Sequence, residues 1–162
     1  MSKFPSVTQY MTTLLVTFHP ETYLWEAIET MLKKKISGAP VLNHQEELVG
    51  MLSEVDCLRI LVDGLYNDEP RHMLKVGDYM STKVSTISAS KSIFDAANEF
   101  ISHGFKRLPV IENGKLVGQI SRVDVLKAVQ EMKPKARHIP DTWKGREPAL
   151  PSYKKTRHTG NS

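Results

Sequence analysis

Two stretches of helical periodicity, each followed by two short apolar runs and a further helical stretch, organise the first 132 residues. Between Thr22 and Lys35, Leu24, Ala27, Ile28, Met31 and Leu32 recur three and four positions apart, which predicts an amphipathic helix. Ile93, Ala96, Ala97, Phe100 and Ile101 repeat that spacing. Ahead of them, Ser92 and Asp95 form a capping-box pattern, and Gly104 suits the helix stop. The apolar runs Ala39 to Leu42 and Leu108 to Ile111 are too short for helices and read as strands. Turn residues follow each run, Asn113-Gly114 being the clearest, and apolar positions resume at Leu48 to Leu52 and Leu116 to Ile120, which predicts two hairpins. Pro40 and Pro109 cannot donate to a strand ladder, so an edge or a bulge is expected beside them. A last helix starts at Ser53 or Ser121 and carries Val55, Leu58, Ile60 and Leu61, or Val123, Val125, Leu126 and Val129. With an opening strand before the first helix, each unit reads strand, helix, strand, strand, helix.

The two units are copies, about 68 residues apart. Val7-Thr8-Gln9-Tyr10-Met11-Thr12-Thr13 returns as Val76-Gly77-Asp78-Tyr79-Met80-Ser81-Thr82. Gly38-Ala39-Pro40-Val41-Leu42 returns as Arg107-Leu108-Pro109-Val110-Ile111, and the string from Leu48 to Leu58 returns from Leu116 to Leu126. Two copies are too few for a solenoid, so a paired α/β (α+β) module with pseudo-twofold symmetry is expected. The predicted boundaries are 4–66 for the first repeat, 67–75 for a linker and 76–132 for the second. Asn67-Asp68-Glu69-Pro70 in the linker is a helix-start signal.

Charge changes the picture mainly after residue 132. The whole chain carries +4, but residues 133–162 hold eight Lys or Arg against Asp141 and Glu147, which leaves the repeats at −2. A slightly acidic pair of repeats gives no electrostatic reason to face nucleic acid. The tail has four prolines and little periodicity, and is expected to be extended or disordered. Its dispersed Lys and Arg, with Trp143 and Tyr153 among them, leave it as the one place where nucleic acid or an acidic partner could bind. The single cysteine, Cys57, excludes a disulfide framework, and the six scattered histidines lack metal-ligand spacing. No apolar run approaches a membrane span and the first residues lack a signal-peptide core, so a cytoplasmic protein is expected.

One motif carries chemistry: Gly-x-x-Ser-x-Val-Asp between a strand and a helix, at Gly50 to Asp56 and again at Gly118 to Asp124. Its plainer meaning is a helix cap, in which the serine oxygen accepts from an early N–H and the carboxylate reaches back. The same geometry also suits a ligand. A helix N-terminus favours phosphate, and a first-turn carboxylate can accept from a ribose diol.

Together, the Tyr-Met-Thr/Ser opening, the Pro-Val hairpin strand and the doubled Gly-x-x-Ser-x-Val-Asp string resemble a tandem pair of CBS domains over about residues 4 to 131. That resemblance implies two βαββα repeats packed around a pseudo-twofold, with two clefts for AMP, ADP, ATP or S-adenosylmethionine. It implies a regulatory ligand and no required cofactor or catalysis, a homodimer formed through exposed helix faces, and an unidentified regulated protein. Each cleft would mix the repeats. One would use Ser53 and Asp56 with Ser88, Phe105, Lys106 and Arg107. The other would use Ser121, Arg122 and Asp124 with His19, Ile36, Ser37 and Gly38. Asp56 and Asp124 would hold ribose, while the serines would face phosphate or ribose oxygens. Because the repeats consume almost all the foldable sequence, no enzyme domain is expected. The alternative is a ligand-free interaction module.

Overall fold

The computed structural model describes residues 3–63 and 71–134. The first repeat contains α1 (Leu24–Lys34), β1 (Gly38–Leu42), β2 (Leu48–Ser53) and α2 (Glu54–Asp63). The second contains α3 (Val76–Tyr79), β3 (Ile87–Ser88), α4 (Ile93–His103), β4 (Arg107–Glu112), β5 (Lys115–Ser121) and α5 (Arg122–Glu131). β1 and β2 form an antiparallel hairpin; β3 lies parallel to β4, which pairs antiparallel with β5. The expected strand opening the first repeat is reduced to one bridge between Phe18 and Val41. A turn closed by the Thr22 N–H donating to the His19 carbonyl at 3.0 Å ends the extension there. The expected linking helix at Asn67 to Pro70 and the tail from residue 135 lie outside the described residues. Arg71–Met73 forms a single 3-10 turn.

Local chemistry accounts for the element ends. Ser92 caps α4 and Asp95 completes the box, while Gly104 takes the left-handed conformation (φ 68°) at the other end. Asn113 and Gly114 both have positive φ, 49° and 77°, matching the twist of a tight hairpin. Each hairpin has a register irregularity one residue beyond its proline, between Val41 and Leu42 and between Val110 and Ile111.

Two apolar cores hold the described residues together, and the repeats exchange parts to build them. Val7, opening the first repeat, is fully buried among Ile93, Phe100, Leu108 and Ile120 of the second. Val76, opening the second repeat, is fully buried among Leu24, Val41 and Leu52 of the first. Backbone bonds fix the exchange. The Val7 N–H donates to Lys91 O at 3.0 Å and the Val76 N–H donates to Thr22 O at 2.8 Å. Thr12 exchanges a pair of 2.9 Å bonds with Gln119 on β5, and Ser81 exchanges a matching pair with Met51 on β2. These crossings draw the opening segment of each repeat over the hairpin of the other, which is how residues of both repeats come to share a cleft.

Candidate functional site

Both copies of the motif form the cap that the sequence predicts. The Asp56 Oδ2 accepts from the Ser53 N–H at 2.8 Å and from its hydroxyl at 2.9 Å, while the Asp56 N–H donates to Ser53 Oγ at 3.2 Å. Asp124 repeats this with Ser121 at 2.8, 2.9 and 3.3 Å. The box consumes one carboxylate oxygen of each aspartate. Among the described residues, Oδ1 of Asp124 has only the 4.0 Å approach of Lys127, so capping leaves an acceptor over for a hydroxyl pair.

The first cleft, about 240 Å³, lies between Ser37, Gly38, Met51, Ser53 and Glu54 of the first repeat and Phe105, Lys106 and Arg107 of the second. Arg107 spans it. Its guanidinium donates to Gly38 O at 2.8 Å and to the Ser37 hydroxyl. Burial pulls the Arg107 pKa down from its ordinary value, and the nearby Glu54 carboxylate opposes that shift. A half-buried cation held by neutral oxygens, with Lys106 beside it, suits an anionic group. Gly38 has to be glycine here. A Cβ would lie 2.7 Å from Leu52 O and 3.2 Å from Arg107 Nη1.

The second cleft, about 250 Å³, joins Ser121, Asp124 and Gln119 of the second repeat to Ile36, Gly38 and Pro40 of the first. Thr12 and Leu14 to Val16 close one side. Gly38 therefore lines both clefts. The chemistry divides by place: hydroxyl and carboxylate at the head of α5, an amide on β5, the hydroxyl of Thr12 on the opening segment, and apolar side chains at Leu14, Leu15, Val16, Ile36 and Pro40.

The profile of the CBS domain family matches residues 7–63 and 76–131. The chain belongs to the CBS-domain family, as a tandem pair. It is 32% identical over 121 residues to an uncharacterized protein of Methanocaldococcus jannaschii, covering 75% of this chain and 41% of that one. It is also 32% identical over 106 residues to the A-adding tRNA nucleotidyltransferase of Aquifex aeolicus, covering 65% of this chain and 12% of that one. The CBS pair thus spans less than half the length of either relative. Among solved structures, CBSX2 of Arabidopsis thaliana in complex with AMP is 30% identical, with a TM-score of 0.71 over 80% of this chain and 99% of that one.

Within the CBS pair, the residues singled out from sequence do not all converge. Ser53, Phe105, Lys106 and Arg107 line the first cleft, and Ser121, Asp124, Ile36 and Gly38 line the second. Ser37 lies in the first cleft, where Arg107 engages it, rather than the second. Asp56 is buried behind Ser53 and does not line the first cleft. Ser88 is exposed and shares a hydrogen bond with Ser90, in a depression beside Asp95 and Asn98. His19 is exposed and stacks on His44 with ring centroids 5.4 Å apart. Arg122 turns back to donate to Phe105 O at 2.6 Å and Gly104 O at 2.7 Å. In place of His19, the opening segment presents Leu14, Leu15 and Val16 to the second cleft. Sequence reading missed these three, and Gln119 and Met51 on the strands; the last two were visible as a non-equivalent position between the repeats.

Cys57 is half-buried, and its thiol pKa is raised, chiefly by burial and further by the charges of Asp56 and Glu54. That environment disfavours a thiolate nucleophile. Among the described residues no cluster of His, Cys, Asp and Glu is arranged to hold a metal ion, and no helix is long and apolar enough to cross a membrane.

Proposed function

We propose that this CBS pair is a regulatory module that binds adenosine-containing nucleotides (AMP, ADP, ATP or S-adenosylmethionine) between its repeats and signals their presence to a partner protein, without catalysing a reaction. The observation that carries this reading is the second cleft, where a carboxylate with a spare oxygen and a hydroxyl at the head of α5 face apolar residues of the other repeat. The AMP complex of CBSX2, similar in fold and 30% identical, supports it. Asp124 would hold the ribose diol, and Ile36, Pro40 and Val16 would flank the base. In the first cleft, Lys106 and Arg107 would face phosphate. A thermal-shift panel of AMP, ADP, ATP, S-adenosylmethionine and NAD tests the reading. Ligand at 100 times its dissociation constant stabilises a fold by about 2.7 kcal/mol, which at roughly 2–4 °C per kcal/mol raises the melting temperature by about 5–10 °C. A selective shift is expected. A flat panel would favour a ligand-free interaction module instead.

The same reading includes a homodimer. α2 exposes Val55, Leu58, Leu61 and Val62, each at least 62% accessible, and α5 exposes Val123, Leu126 and Val129. Apolar side chains grouped on helix faces mark association surfaces, and both helices begin at a cleft. The double substitution Leu58→Glu, Leu126→Glu should therefore shift the sedimenting species from dimer to monomer with the circular dichroism unchanged. A wild-type monomer at tens of micromolar, about the range in which weak interfaces associate, would remove this element.

A further inference from the structure

The two clefts differ in the charges on their walls. Two cationic residues line the first, Lys106 and Arg107. Arg107 is half-buried, and among the described residues its hydrogen-bond partners are neutral: Gly38 O at 2.8 Å and the Ser37 hydroxyl. No carboxylate of the described residues forms an ion pair with it; Glu54, which also lines that cleft, acts on it only as a nearby charge. A guanidinium has five N–H donors in a fixed fork, so these two bonds leave donors to spare. Holding a cation partly away from water without a counter-ion is costly, and an anion entering the cleft removes that cost. Because the two bonds cross between the repeats and fix the fork, an incoming anion meets donors already oriented.

The second cleft has no such cation. Among the described residues Asp124 is the one ionisable side chain lining it, and its other polar side chains, Thr12, Gln119 and Ser121, are neutral. The basic residues of α5 are committed elsewhere. Arg122 donates to the carbonyls of Gly104 and Phe105, and Lys127 approaches Asp124 Oδ1 at 4.0 Å without lining the cavity. A phosphate placed here gains no cation, and the favourable field at the head of α5 is offset by the Asp124 carboxylate. We propose that the two clefts sort adenosine ligands by charge. The first reads the phosphate through Arg107 and Lys106; the second holds the nucleoside part alone and takes neutral adenosine or cationic S-adenosylmethionine as readily as AMP. This rests on the nucleotide reading above and deepens it by giving each cleft its class of ligand.

Calorimetric titration of the full chain with adenosine, AMP and S-adenosylmethionine tests this in wild type, Asp124→Ala and Arg107→Met. Asp124→Ala isolates the first cleft, where AMP should bind about tenfold or more tighter than adenosine, the effect of one hydrogen bond between charged groups. S-adenosylmethionine should bind there more weakly than AMP. Arg107→Met should bring first-cleft AMP affinity down toward that of adenosine, while the second cleft of that variant binds all three ligands with similar affinity. Raising salt from about 0.05 to about 0.5 M should weaken AMP at the first cleft and leave adenosine unchanged, because salt screens the phosphate from its cations. That measurement on wild type decides the matter even if Arg107→Met, having lost its bridge to Gly38, fails to fold. Equal affinities for adenosine and AMP at the first cleft, the same preference for AMP in both clefts, or AMP binding insensitive to salt would each overturn the sorting while leaving nucleotide binding in place. No binding of any of the three to wild type would overturn both.

Discussion

Asp124→Ala should weaken AMP binding in the second cleft by about a hundredfold while costing the fold only a helix cap. Hydrogen bonds to a charged group contribute about 1.5–3 kcal/mol each, and two of them to a ribose diol account for a loss of that size. Removal of the cap costs about 0.5–2 kcal/mol, a drop in melting temperature of a few degrees. The two effects can be separated because the chain carries a control. Asp95 makes the same box with Ser92 at the start of α4, with bonds of 2.9, 2.9 and 3.2 Å, outside both clefts. Those bonds hold the Asp95 carboxyl below its ordinary pKa. Asp95→Ala should therefore destabilise the protein to a similar degree and leave AMP affinity unchanged. If both variants melt earlier and neither binds AMP more weakly, the motif aspartate is a cap and nothing more.

Gly38→Ala should damage both clefts at once. The added methyl would lie 2.7 Å from Leu52 O, a backbone atom of the paired strand, and 3.3 Å from Ser53 Cα. The β1–β2 hairpin has to open to admit it, which costs about 1–3 kcal/mol as overpacking. The methyl also approaches the Arg107 guanidinium, which donates to the carbonyl of Gly38 itself. Because Gly38 lines both clefts, the movement reaches Ser53 on one side and Pro40 on the other. The expected result is a melting temperature lower by several degrees, roughly 2–4 °C per kcal/mol, and weaker AMP binding at every site that calorimetry resolves. Wild-type affinity at both sites would show that the hairpin yields without disturbing the clefts. The pseudo-symmetric partner of Gly38 is Arg107, and the two meet where the Arg107 guanidinium donates to Gly38 O.

Much of this was legible in the chain. The helices and hairpins follow from apolar spacing, Asn113-Gly114 and the three Ser-x-x-Asp boxes, because each depends on contacts within a few residues. The exchange of opening segments was not legible. Val7 and Val76 are buried in the opposite repeat through contacts dozens of residues apart, and no local period reports such a partner. The misplacements at the clefts share that origin. Residues 11–19 form no regular strand, so nothing in their sequence says that Leu14 to Val16 face the second cleft while His19 does not. Arg122 was assigned by its position beside Asp124, yet its long side chain reaches the carbonyls of Gly104 and Phe105 instead. Asp56 and Asp124 occupy equivalent positions in the copies but line the clefts unequally, since their surroundings come from different segments of the other repeat.

The most direct measurement is calorimetric titration of the full chain with AMP, wild type beside Asp124→Ala. Saturable binding to wild type, with one site lost in the variant, is the result expected of a nucleotide-sensing CBS pair. A folded wild-type protein that takes up no AMP at millimolar concentration, or an Asp124→Ala variant that binds it as wild type does, would contradict that reading of the clefts.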